Sequence, residues 1–141
     1  MSLSAVVYRS KKHLQLGNDE GVAQFIPERG EVYFENDELS RKYRQQLQAA
    51  HTRLGNITEI AGLRDEIARL SVPSNILRDK ILYSGSHSGD FIPLDELSLL
   101  LDEIRIVRRT GKASKEMRSF LDRIEELVRT ATNETNPIVF V

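Results

Sequence analysis

The sequence predicts an α+β fold, in which amino-terminal antiparallel strands and a carboxy-terminal strand form a sheet covered by about four helices. Three observations carry this expectation. Strand-favouring residues cluster in the first third of the chain, apolar stripes at three- and four-residue spacing occupy most of the remainder, and the last residues, Ile138 to Val141, are continuously apolar. Strands grouped at one end with helices after them fit α+β better than an alternating α/β pattern. At 141 residues the chain has the size of one domain, and residues 1–141 are read as a single α+β domain.

The first strand is expected over Leu3 to Arg9. Lys11 to Gly21 is polar and glycine-containing, so it reads as a loop with room for a short strand around Leu14 to Leu16. Val22 to Ile26 and Glu31 to Glu35 flank Pro27, Glu28, Arg29 and Gly30, a turn-forming connection that predicts a β-hairpin. From Asp37 the period changes. Leu39, Tyr43, Leu47, Ala50 and Leu54 make one helical stripe, and Gly55 ends it. Asn56 followed by Glu59 has the form of a capping box, opening a helix whose buried stripe is Ile60, Leu63, Ile67 and Leu70 and which Pro73 stops.

Ser74 or Asn75 can cap a short turn before Ile76 to Tyr83, where we expect a turn and then a strand over Lys80 to Tyr83. Pro93 suits the first turn of a third helix, with Leu94, Leu97, Leu101, Ile104 and Val107 inward and Arg105, Arg108 and Arg109 near its carboxyl end, where they either face the negative pole of its dipole or form an anion-binding patch. The carboxylates Asp95, Glu96, Asp102 and Glu103 fit its amino end and outer face. Around the first turn of that helix an acidic lip could attract a basic partner. Ser114 caps the clearest helix, with Met117, Phe120, Leu121, Ile124, Leu127, Val128 and Ala131 inward. Arg118 with Asp122, and Glu125 with Arg129, are its outward i,i+4 pairs. Ile138 to Val141 would close the sheet.

Composition narrows the function classes. A formal net charge of -1 supplies no long-range attraction for nucleic acid or an anionic membrane, so neither is an expected partner. The absence of cysteine removes disulfides, thiolate metal sites and thiol nucleophiles, and makes the cytoplasm the default compartment. Through Tyr8 the chain shows no export signal, and no apolar run is long enough to span a membrane. His13, His51 and His87 are far apart, so we expect no metal site, no cofactor and no catalytic residues.

The candidate site is Ser84, Gly85, Ser86, His87, Ser88, Gly89 and Asp90, a run of small and polar residues between apolar stretches. Its amides and hydroxyls could face an anion, although the lysine of a phosphate-binding loop and the spacing of a dinucleotide fingerprint are missing. Ser–His–Asp triads are assembled by the fold from separate segments, which tells against one formed within so short a loop. The bland reading is a tight turn with Gly85 and Gly89 at positive φ.

Arg53, Leu54, Gly55 and Asn56, then Tyr83 through Asp90 with Ile92 and Pro93, and finally Asn136 to Phe140 together resemble small bacterial proteins of the immunity type, antidotes that bind and neutralise a toxin. The resemblance covers nearly the whole chain. It implies a stoichiometric protein inhibitor without catalysis, with Ser84 to Asp90 as a fold-defining turn or part of the contact. The expected function is therefore a protein-interaction module, with strand edges offering a route to a homodimer. The alternative is a small-ligand or anion-binding domain, enzymatic or not, that uses the same loop.

Overall fold

The computed structural model describes residues 2–141 and is α+β. Its sheet is built around β1, Ser2–Tyr8, because this strand is apolar on both faces. Leu3, Ala5 and Val7 enter the main core, while Val6 and Tyr8 cluster with Val139 on the opposite face. A strand covered on both sides takes a central place. The order is β4-β1-β6-β5, antiparallel throughout, with β4 as Gln48–Asn56, β5 as Phe91–Ile92 and β6 as Ile138–Phe140. The expected closing strand is therefore present and pairs with β1.

Three helices pack on the core face. They are α2, Ile57–Leu70, α3, Leu97–Arg109, and α4, Lys115–Glu134. Of these, α2 and α4 bury the stripes expected of them, whereas in the third helix Leu94 lies in a 3-10 turn before the helix and is exposed, and Leu100 is buried with Leu97, Ile104 and Val107. Phe120 and Phe140 are fully buried between helix and sheet, each burial contributing roughly 1.5–3 kcal/mol. The Asn56–Glu59 capping box forms in both directions, and Ser114 accepts from the Met117 amide to start α4. Among the described residues no helix is long and apolar enough to cross a membrane.

The chain leaves the sheet after β1 and returns at β4, its two ends joined by Arg9 N–H to Leu47 C=O at 2.8 Å. The excursion carries the expected hairpin, β2 Gln24–Ile26 and β3 Glu31–Tyr33, together with α1, Asp37–Leu47. It has a small core of its own, formed by Leu16, Val32, Phe34 and Tyr43. The hairpin is thus a separate two-stranded sheet. Around Leu14 to Leu16 there is no strand; short 3-10 turns at Lys11–His13 and Gly17–Val22 flank that stretch.

Two larger expectations are corrected. The first helix does not run to Leu54. It stops at Leu47, and Gln48–Asn56 pairs with β1. Ala50 and Leu54 continue a helical spacing by coincidence, and the ladder that β1 offers overrides local preference. Nor is Lys80 to Tyr83 a strand. Leu77–Ile81 is one π-helical turn that buries Leu77 and Ile81, with its leading amides held by a side chain from α3. That side chain is Glu103, which is 2% exposed and so does not belong to an outer acidic face. The α4 ion pairs also differ from expectation. Asp122 and Glu125 both turn to Arg108 of α3, and Arg129 pairs with Glu126.

Candidate functional site

The segment Ser84 to Asp90 leaves the π-helical turn, crosses the start of α2 and enters β5. His87 anchors it. The residue is 8% exposed, and its ring lies 4.6 Å from the Tyr83 ring and 4.7 Å, edge-on, from that of Phe140. Its Nε2 is 2.8 Å from the Ile81 carbonyl oxygen, which can only accept, so Nε2 donates. Nδ1 is buried without a hydrogen-bond partner, since Asp90 Oδ2, 3.3 Å away, lies outside bonding geometry. Asp90 instead accepts from the Tyr83 hydroxyl. That bond, then burial and the charge of Asp90, push the Tyr83 hydroxyl up to about 12.

Backbone pairing fixes the rest. Gly89 N–H donates to Phe140 C=O at 2.8 Å, and Phe140 N–H donates to Asp90 C=O at 2.8 Å. Ser84 Oγ accepts from Ser86 N–H at 3.1 Å, and Asp90 N–H reaches His87 C=O at 3.3 Å. The amides of Ser86, Gly89 and Asp90 are therefore already engaged and do not form an anion cradle. No serine hydroxyl bonds the His87 ring, so the loop assembles no triad. Of the two glycines, Gly89 has φ +97° but Gly85 is not at positive φ. Gly85 is required for space, because a Cβ there would stand 2.8 Å from Ile57 Cα.

The loop's outward side is a different matter. Ser86, Ser88, Gly89 and Asp90 are exposed. Tyr83 and Phe91, 42% and 39% exposed, line with Asp79, Lys80, Gly89 and Asp90 a shallow hollow of about 390 Å³. Ile57, 55% exposed, adjoins the loop at Gly85.

Two features escaped the sequence reading. A larger cleft, about 580 Å³, runs between α2 and α4 over Gly62 and Leu63, with Leu54, Glu66, Ser114 and Arg123 among its walls. Its one sequence signal was Gly62, a glycine inside a helix with open space where a Cβ would stand. The second feature joins distant parts of the chain at Glu134, whose Oε1 accepts from Ser10 N–H at 2.9 Å and from His13 Nδ1 at 2.8 Å. Among the described residues no group of three or more histidine or carboxylate side chains could hold a metal ion.

No protein-family model matches the chain, and neither the curated proteins nor the solved structures contain a match.

Proposed function

We propose that the chain is a small cytoplasmic protein-interaction module, an immunity-type antidote that binds a toxin and neutralises it without catalysis. The supporting observation is the exposed face of Tyr83, Phe91 and Ile57 around the Ser84 to Asp90 loop. Exposed aromatic side chains beside polar groups suit a protein interface, where a few such residues supply most of the affinity. The buried His87 anchor holds the loop before any partner arrives, which reduces the ordering cost of binding.

The test is capture from native lysate by the tagged chain, beside a Tyr83→Ala, Phe91→Ala double variant whose folding is checked by circular dichroism. We expect the wild type to recover one stoichiometric protein and the variant to lose it. Equal recovery by the folded variant would remove this face from the contact. The second reading, a small-ligand domain, draws on the hollow beside Asp90. A thermal-shift screen of anionic metabolites tests it, with a rise in melting temperature as its expected signature.

A further inference from the structure

The candidate loop leads into β5, the last strand of its sheet, and the way β5 joins β6 sets which of its backbone groups stay free. Gly89 N–H donates to Phe140 C=O, and Phe140 N–H donates to Asp90 C=O. Two residues ahead of β5 thus answer one of β6, a bulge that Gly89 turns at φ +97°. Phe91, the next residue, stands opposite Val139. Bonded and open pairs alternate along an antiparallel ladder, so the N–H and C=O of Phe91 point away from β6, towards the open side. Among the described residues no backbone group from elsewhere answers them.

The hollow of about 390 Å³ lies on the same stretch, with the exposed rings of Tyr83 and Phe91 and the charges of Asp79, Lys80 and Asp90 in its walls. Two of these charges are already matched. Arg78 holds Asp79 at 3.0 Å, and Glu96 holds the Lys80 ammonium. Asp90 is left over, because its Oδ2 accepts only the neutral Tyr83 hydroxyl and its Oδ1 accepts nothing from the chain. The His87 ring beside it is no counter-ion. That ring donates from Nε2 to Ile81, while Nδ1, 3.3 Å from Asp90 Oδ2, is buried without a hydrogen-bond partner.

We propose that the hollow receives an arginine side chain carried on an extended segment of the partner protein, whose main chain pairs at Phe91. A cation is drawn to aromatic faces as well as to a carboxylate. Arginine suits both, since its flat guanidinium stacks on rings and donates two parallel bonds to a carboxylate, whereas a lysine ammonium is a point charge. The free N–H and C=O of Phe91 favour a peptide chain over a small guanidino compound, the mode by which sheet edges take extended segments. A second copy of the chain fits less well. Among its described strands the one arginine is Arg53, which Glu59 already holds at 2.9 Å. The inference rests on the protein-interaction reading of this face and names the partner's chemistry there.

The experiment uses the full chain, labelled with 15N, and a capped peptide of about five residues, threonine and valine around a central arginine. Beside it stands the same peptide with citrulline, which keeps the shape of the side chain and removes its charge. At millimolar concentration the arginine peptide is expected to shift the amide signals of Gly89, Asp90 and Phe91 and to slow exchange of the Phe91 amide roughly threefold or more. The citrulline peptide should bind roughly tenfold more weakly. Asp90→Asn should bring the arginine peptide down to the citrulline level, and the citrulline comparison decides the matter if that variant misfolds. Equal binding of the two peptides, or no response to either, would overturn the arginine inference. N-acetylarginine amide binding as tightly as the peptide, with Phe91 exchange unchanged, would replace the partner segment by a small guanidino ligand. Lysate capture separates this inference from the reading beneath it. A partner kept by Asp90→Asn but lost by the Tyr83→Ala, Phe91→Ala variant would overturn the arginine alone, and one kept by both would overturn the face as well.

Discussion

Glu103 is tied to Leu77. Its buried carboxylate accepts the Leu77 amide at 2.9 Å and the Ile76 amide, through both oxygens, at 3.1 Å. The pairing holds the π-helical turn against α3 and fixes where the chain departs toward the candidate loop.

Replacing Glu103 by alanine leaves two buried amides without acceptors. Hydrogen bonds to a charged group contribute about 1.5–3 kcal/mol each, so Glu103→Ala should cost about 3–5 kcal/mol in urea unfolding. Glu103→Gln keeps one acceptor oxygen and should cost about 1–2 kcal/mol. A loss for alanine no larger than that of an ordinary surface substitution, about 0.5 kcal/mol, would contradict this role.

His87 makes a similar case within the loop. Removing its ring opens a space between Tyr83 and Phe140 and strands the Ile81 carbonyl. We expect His87→Ala to lower stability by about 2–4 kcal/mol. Long-range 1H–15N correlation should place a ring proton on Nε2, the nitrogen facing that carbonyl. A loss near zero would mean that the loop is not anchored there, and the preorganised face would go with it.

How much of this was legible follows from the distance between partners. The stripes of α2 and α4 and the Asn56–Glu59 box involve residues three or four apart, and such patterns can be read from a sequence. Gln48–Asn56 is different, because alanine and histidine carry little strand preference and the ladder that makes it a strand comes from β1, forty or more residues earlier. Glu103 looked like an outward charge because its acceptor role is defined by amides 26 and 27 residues away. The loop itself was visible as a local anomaly. Its buried anchor depends on Phe140, at the far end of the chain, and the β5 edge and α2–α4 cleft are properties of the assembled sheet and helices.

Gly30 and Asn136 link the hairpin to the carboxy-terminal strand. Gly30 closes its turn at φ +66°, and a Cβ there would collide with the Asn136 side chain, whose Nδ2 donates to Tyr8 C=O at 2.7 Å. Gly30→Ala should therefore cost about 2 kcal/mol or more, from backbone strain and from the displaced asparagine together. In an Asn136→Ala background the collision is gone and only the strain remains. The double variant should thus lose less than the sum of the singles, by about 0.5 kcal/mol or more. Strict additivity in urea unfolding would show that the two side chains do not meet.

Glu134 predicts an acid-sensitive clasp. A carboxylate near the carboxyl end of α4 faces the negative pole of the helix, an unfavourable place unless something else holds it. Burial pushes the Glu134 carboxyl up, but the His13 imidazole and the Ser10 amide and hydroxyl outweigh it and hold the group below the ordinary 4.5. A depressed folded-state value means that the unfolded chain binds this proton first. The stabilisation is therefore complete above pH 4.5 and is lost as pH falls through the lower folded value. Glu134→Gln keeps an acceptor but has no charge to lose. It should be less stable than wild type near neutral pH, by about 1–2 kcal/mol, and the gap should narrow on acidification through roughly pH 5 to 3. Urea unfolding of both proteins across that range checks the sign. A gap that stayed constant would mean that the Glu134 charge contributes nothing to holding Ser10 and His13 against α4.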